Sequence, residues 1–213
     1  MANLVRFIII AICFLLALGT VKFAYSKKDW ACLAVAMAFT VVSDYFLLLT
    51  DNLVLGVATF WLVHTVYIFR VQQKIPKITI ITLVVGLSFG ILFVWLNVNN
   101  ILVFFSAIYA ALFLQNFVFH VKFCKSGNLN KIENSYSLPK VNRKIMLVAL
   151  TFFVICDVNV LIFNIRDILQ LSEQNVERVY TLMWLFYVPS QVLLGISAVD
   201  WRSKTQIYQP KSR

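Results

Sequence analysis

Two aspartates stand where lipid is expected. Of nine acidic residues, only Asp44 and Asp157 lie inside long apolar runs, VVSDYFLLL and FFVICDVNVLIF. A carboxylate near the bilayer centre costs about 2.5–3.5 kcal/mol on insertion scales, so an intramembrane acid marks either a polar contact between helices or a functional site. At 1.5 Å rise per residue, Asp44 lies about 9 Å and Asp157 about 12 Å from the same end of their spans. Levels within one helical turn let the two carboxyls share a cavity if their helices are neighbours. Two carboxylates in low dielectric cannot both ionise cheaply, so such a pair holds one neutral acid beside one charged base. That is the arrangement for general acid–base catalysis.

Other polar residues fall at helical spacing. His64 and Tyr67 are three apart and share a face; Tyr187 and Gln191 are four apart and share another. Asn164 shares a face with Asp157. Each has a plain reading beside the functional one: His64 as a hydrogen bond across a bundle, Tyr187 and Gln191 as interhelical contacts, Ser43 as a small residue permitting close helix approach. Gln115, Asn116 and His120 lie toward the opposite end and read as contacts apart from the aspartates. Phe104, Phe105, Phe113, Phe117 and Phe119 read as lipid-facing or core.

The elements that must position these side chains are apolar and long. The chain has 213 residues, 61% hydrophobic and 13% charged, against about 45–50% apolar and about 25% charged for an ordinary soluble domain. This excludes a soluble enzyme, a disordered chain and a disulfide-stapled secreted module. A helix needs about 20 apolar residues to cross a bilayer, and polar punctuation separates seven such runs. They cover about 3–25, 29–49, 53–71, 78–97, 100–121, 144–165 and 177–199. The expected fold is therefore an all-α, polytopic membrane bundle in one domain over 1–213. The stretch 122–143 is the one connection long enough for an additional surface helix.

The net charge of +10 is explained by where it falls. Seven crossings put Arg6, Arg166 and Arg178 on one side and the other 16 lysines and arginines on the opposite side. Positive residues collect on the cytoplasmic side, so the expected orientation is N-terminus outside and C-terminus cytoplasmic, with no nucleic-acid partner. No small-x-small cleavage site precedes Lys27-Lys28, so the first span is expected to be retained rather than removed as a signal peptide. The four cysteines, Cys13, Cys32, Cys124 and Cys156, contain no CxxC pair, and no metal site or cofactor is expected.

These motifs resemble the YhhN (lysoplasmalogenase) family of integral membrane proteins. Ser43-Asp44-Tyr45-Phe46 followed by Gly56, Phe60, His64 and Tyr67 is similar to its first acidic helix and a following G-x3-F-x3-H-x2-Y helix. Phe152 to Asp157 resembles its second acidic helix, and Tyr187 to Gln191 its final Y-x3-Q helix. Ser43 stands where the family usually has Gly, and Cys156 where it usually has Ser. The resemblance implies eight helices, one more than the apolar runs supply. It also implies hydrolysis of the vinyl ether bond of a lysoplasmalogen, a single-chain ether phospholipid, to a fatty aldehyde and a glycerophospho-headgroup. Asp44 and Asp157 would be catalytic. Ser43, His64, Tyr67, Tyr187 and Gln191 would hold substrate or water.

The rival readings are a transporter using the aspartates as a relay, a ligand sensor, and an inactive protein with the same fold. A transporter predicts inverted repeats and broken helices, and no half-to-half correspondence is visible. A retinal protein needs a lysine in its last helix, and 177–199 contains none.

Overall fold

The computed structural model describes residues 2–96, 101–125 and 139–201. Among them are seven long α-helices: α1 (Ala2–Gly19), α2 (Lys27–Leu48), α3 (Leu53–Gln72), α4 (Lys77–Trp95), α5 (Ile101–Lys125), α6 (Lys140–Asn164) and α7 (Glu173–Ile196). A 3-10 turn, Thr20–Phe23, extends α1. All seven are long and apolar enough to cross a membrane, so the chain is a multi-pass membrane bundle with seven spans among the described residues, not the eight that the resemblance implies. Residues 97–100 hold the expected end of the fourth span and start of the fifth. Residues 126–138 make up most of the long connection. Both segments lie outside the described residues.

Local chemistry places the helix ends. Ser26 caps α2 by accepting from the Asp29 amide, and Asn52 caps α3 by accepting from the Leu55 amide at 3.2 Å. Pro76 and Pro139 immediately precede α4 and α6, where a missing N–H costs nothing. Gln73 closes α3 in a left-handed conformation, φ 54°.

The most extensive helix pairs are α6 with α7 and α2 with α3. α5 packs on α3, α1 on α2 and α7, and α4 mainly on α5. The α2–α3 pair is close because Gly56 faces Ser43: a Cβ on Gly56 would stand 2.4 Å from the Leu47 side chain. The Ser43 hydroxyl donates across this contact to the Gly56 carbonyl. Large apolar side chains face outward in quantity, among them Trp95, Ile91 and Val103. In water they would be a liability; in a bilayer they are the solvated face.

The two ends of the bundle differ. One carries three cations, Arg6, Arg166 and Arg178, beside the acids Asp51, Asp167, Glu173 and Glu177, and is the cation-poor end; the other is lysine-rich. Near the lysine-rich end the structure corrects the sequence reading. Asp29, at the start of the second apolar run, and Arg70, one of the 16 cations counted on this side, are both buried, 3% and 0% exposed. Arg70 Nε donates to Asp29 Oδ1 at 2.8 Å and Nη2 to Oδ2 at 2.6 Å, while Nη1 donates to Ser197 Oγ at 2.8 Å. Asn142 adds bonds to the carbonyls of Ser197 and Val199. This cluster ties α2, α3 and α6 to the segment that follows α7. Nearby, burial and the Asp29 charge push the Tyr25 hydroxyl well above the usual phenol range. Neither Asp29 nor Arg70 was legible as buried, because each lies within a turn or so of a helix end where a charge ordinarily reaches water.

Candidate active site

Asp44 is four residues from the end of α2 and Asp157 seven from the end of α6. Helical rise sets them about 6 Å and about 10 Å below those ends. Both line one cavity of about 310 Å³. Its wall is completed by Leu47 of α2, Val57 and Phe60 of α3, Tyr109 of α5, Phe153 and Cys156 of α6, and Tyr180, Trp184 and Tyr187 of α7. Asn3, Leu53 and Asn164 also line it and are themselves exposed, so the cavity opens at the cation-poor end. Its lining is mostly apolar with a few convergent polar groups, the usual composition of a small-molecule site.

Each carboxyl is held by a tyrosine from a different helix. The Tyr187 hydroxyl donates to Asp44 Oδ2 at 2.7 Å, and the Tyr109 hydroxyl donates to Asp157 Oδ2 at 2.6 Å. Two Asp–Tyr pairs thus face one apolar-walled space. A phenol that donates to one oxygen orients the carboxyl and leaves the other oxygen for a reacting group. Asp44 is nearly closed off, 4% exposed, while Asp157 is half-buried.

Of the residues expected to hold substrate, only Tyr187 joins the two aspartates in the cavity wall. Ser43, His64, Tyr67 and Gln191 are buried behind it. Ser43 is committed to Gly56 between α2 and α3. His64 packs behind the aromatic wall, with ring centroids 5.2 Å from Tyr109 and 4.8 Å from Phe113, and its Nδ1 meets Asn116 Nδ2 at 3.2 Å. Asn116 therefore pairs with the histidine, and His120 lies one turn further on against the Asn116 carbonyl. Tyr67 points to Met37 Sδ at 3.7 Å. The amide of Gln191, 1% exposed, has no hydrogen-bond partner among the described residues. The spacing arguments found shared faces but could not find which face met the cavity. Asn164, which shares a face with Asp157, does line it.

Tyr109 was missed. In Phe104-Phe105-Ser106-Ala107-Ile108-Tyr109 it reads as one more aromatic on a lipid-facing helix. The signal that could have found it is depth: eight residues into α5 is about 12 Å by helical rise, close to the level of Asp157, and a buried carboxyl needs a donor.

No group of three or more potential metal ligands occurs among the described residues. The family model of the YhhN family matches residues 3–198. The chain belongs to the YhhN family. No curated protein and no solved structure matches it. The match spans all seven helices of this YhhN protein, and both Asp–Tyr pairs fall within it.

Proposed function

We propose that this YhhN protein is an intramembrane hydrolase that cleaves the vinyl ether bond of lysoplasmalogens. The observation that carries the reading is the pair of tyrosine-held carboxyls, Asp44 and Asp157, facing one cavity. An apolar-walled cavity makes a carboxyl cheaper neutral than charged, so one of the two can keep its proton while the other is ionised. The neutral one gives its proton to the β-carbon of the vinyl ether, leaving an oxocarbenium ion. The charged one faces that cation and takes a proton from the attacking water. Collapse of the resulting hemiacetal releases a fatty aldehyde and returns the ether oxygen to the glycerol as a hydroxyl. Water is consumed, and no net proton is gained or lost.

The position of the cavity fits a single-chain lipid. It opens at the cation-poor end, which the asymmetry of lysine and arginine assigns to the outside, with the C-terminus cytoplasmic. The headgroup stays near the interface while the vinyl ether reaches the carboxyls about one to two helical turns down. Ether phospholipid and surrounding membrane lipid are the partners on this reading, and no cofactor takes part.

The test is aldehyde release from a lysoplasmalogen by purified protein. Asp44→Asn and Asp157→Asn keep the side-chain shape and remove the acid. Each is expected to lower kcat at least about 100-fold, the lower range for a positioned acid or base, with the melting temperature held. Full activity in either variant removes the mechanism.

A further inference from the structure

Three residues that line the cavity also hold a cation that the hydrolytic chemistry does not use. Arg6 of α1 is half-buried. Its guanidinium carbon lies 4.3 Å from the Tyr180 ring centroid and 4.9 Å from that of Trp184. Its Nη1 donates to Asn3 Oδ1 at 3.1 Å and to the Tyr180 hydroxyl. Asn3, Tyr180 and Trp184 all line the cavity. The groups that hold Arg6 are thus neutral. Among the described residues no carboxylate forms an ion pair with it. A guanidinium has five N–H donors, and those on Nε and Nη2 have no partner among the described residues. By contrast, Arg70 is neutralised by Asp29, and Arg166 lies 3.9 Å from Asp167. Cation–π contact with two rings holds the guanidinium in place and leaves three of its five N–H donors for an anion with several oxygens.

We infer that Arg6, fixed by Tyr180 and Trp184, binds the phosphate of a lipid headgroup at the mouth of the cavity. The inference rests on the hydrolase reading above for the position of the reacting bond. Tyr180 and Tyr187 are seven residues apart on α7, about 10 Å along its axis. Tyr187 holds Asp44. In a lysoplasmalogen seven bonds separate the vinyl β-carbon from phosphorus, about 9 Å when extended, given single bonds near 1.5 Å. A phosphate at Arg6 therefore sets the reactive carbon at the level of the carboxyls. The same clamp orients the substrate, headgroup outward and chain inward, and rejects neutral single-chain ethers.

The experiment compares two cleavable lipids with the same chain: 1-O-alkenyl-glycerophosphoethanolamine and 1-O-alkenyl-glycerol, which lacks phosphate. The wild type is expected to favour the phosphate lipid at least about tenfold in kcat/KM, mostly through KM, the effect of one charge-assisted hydrogen bond or more. Arg6→Gln is expected to collapse that preference, Arg6→Lys to keep part of it, and Arg178→Gln, an exposed cation away from the cavity, to keep it whole. A wild type with no preference, or an Arg6→Gln variant that retains it, overturns the assignment. A second arm measures binding of the non-cleavable 1-O-alkyl-glycerophosphocholine and 1-O-alkylglycerol by calorimetry in detergent. If the wild type releases no aldehyde, the hydrolase reading fails, yet an Arg6-dependent preference in binding still upholds the clamp. Loss of Arg6 that weakens both lipids equally makes it only a staple between α1 and α7. Displacement of the lipid by an equal concentration of sn-glycerol 3-phosphate makes the site one for free phosphate and overturns the lipid assignment.

Discussion

Tyr109→Phe isolates a single hydrogen bond at the reacting pair. The ring packs against Phe60 at 5.8 Å, His64 at 5.2 Å and Phe113 at 6.1 Å between centroids, and phenylalanine keeps all three contacts. What is lost is the hydroxyl that donates to Asp157 Oδ2 at 2.6 Å. Hydrogen bonds to charged groups contribute about 1.5–3 kcal/mol, and every 1.4 kcal/mol is tenfold. If the bond serves to hold Asp157 in its working geometry, kcat falls about 10- to 150-fold by that arithmetic, while KM changes little. The assay is steady-state aldehyde release from a lysoplasmalogen in detergent micelles, with melting temperature measured in parallel. The variant also has to fail non-additively. Because Tyr109 acts through Asp157, the double variant Tyr109→Phe/Asp157→Asn should be no slower than Asp157→Asn alone. A Tyr109→Phe enzyme within twofold of wild type, or a double variant slower than Asp157→Asn by the full factor, refutes the reasoning.

Other expectations follow from single contacts. Removing one partner of the buried Asp29–Arg70 pair, as in Asp29→Ala, should destabilise by about 3–5 kcal/mol, and replacing both with apolar residues should recover much of it; thermal melting in detergent checks this. Gly56→Ala forces a methyl group to within 2.4 Å of Leu47. Overpacking costs about 1–3 kcal/mol, and because Leu47 also lines the cavity, KM should rise together with the loss of stability. A reporter fused after residue 213 should be active on the cytoplasmic face; activity on the other face would reverse the charge-based orientation.

The spans were legible because lipid imposes a simple rule. A backbone that crosses hydrocarbon must bond to itself, so about 20 apolar residues in a row already mean a helix. Seven such runs gave seven helices whose ends shift by a few residues, as in α6, which begins at Lys140 rather than near 144. Three of the additional four residues, Lys140, Asn142 and Arg143, are polar and lie at the membrane edge, where hydropathy carries no information about helicity. The resemblance to the YhhN family was equally readable, because it rests on residue types at fixed spacing within single helices.

The sequence by itself determined that Asp44 and Asp157 lie in apolar helices at similar depth, since depth is counted along one chain and needs no partner. Only the tertiary structure decided which helices meet, and therefore what each polar face touches. α3 turns His64 and Tyr67 behind the cavity wall, α5 brings Tyr109 to Asp157, and α1 carries Arg6 onto α7. In water the hydrophobic effect would distinguish an inward face from an outward one. In lipid both faces of a helix are apolar, so the sequence pattern loses that distinction and packing alone supplies it.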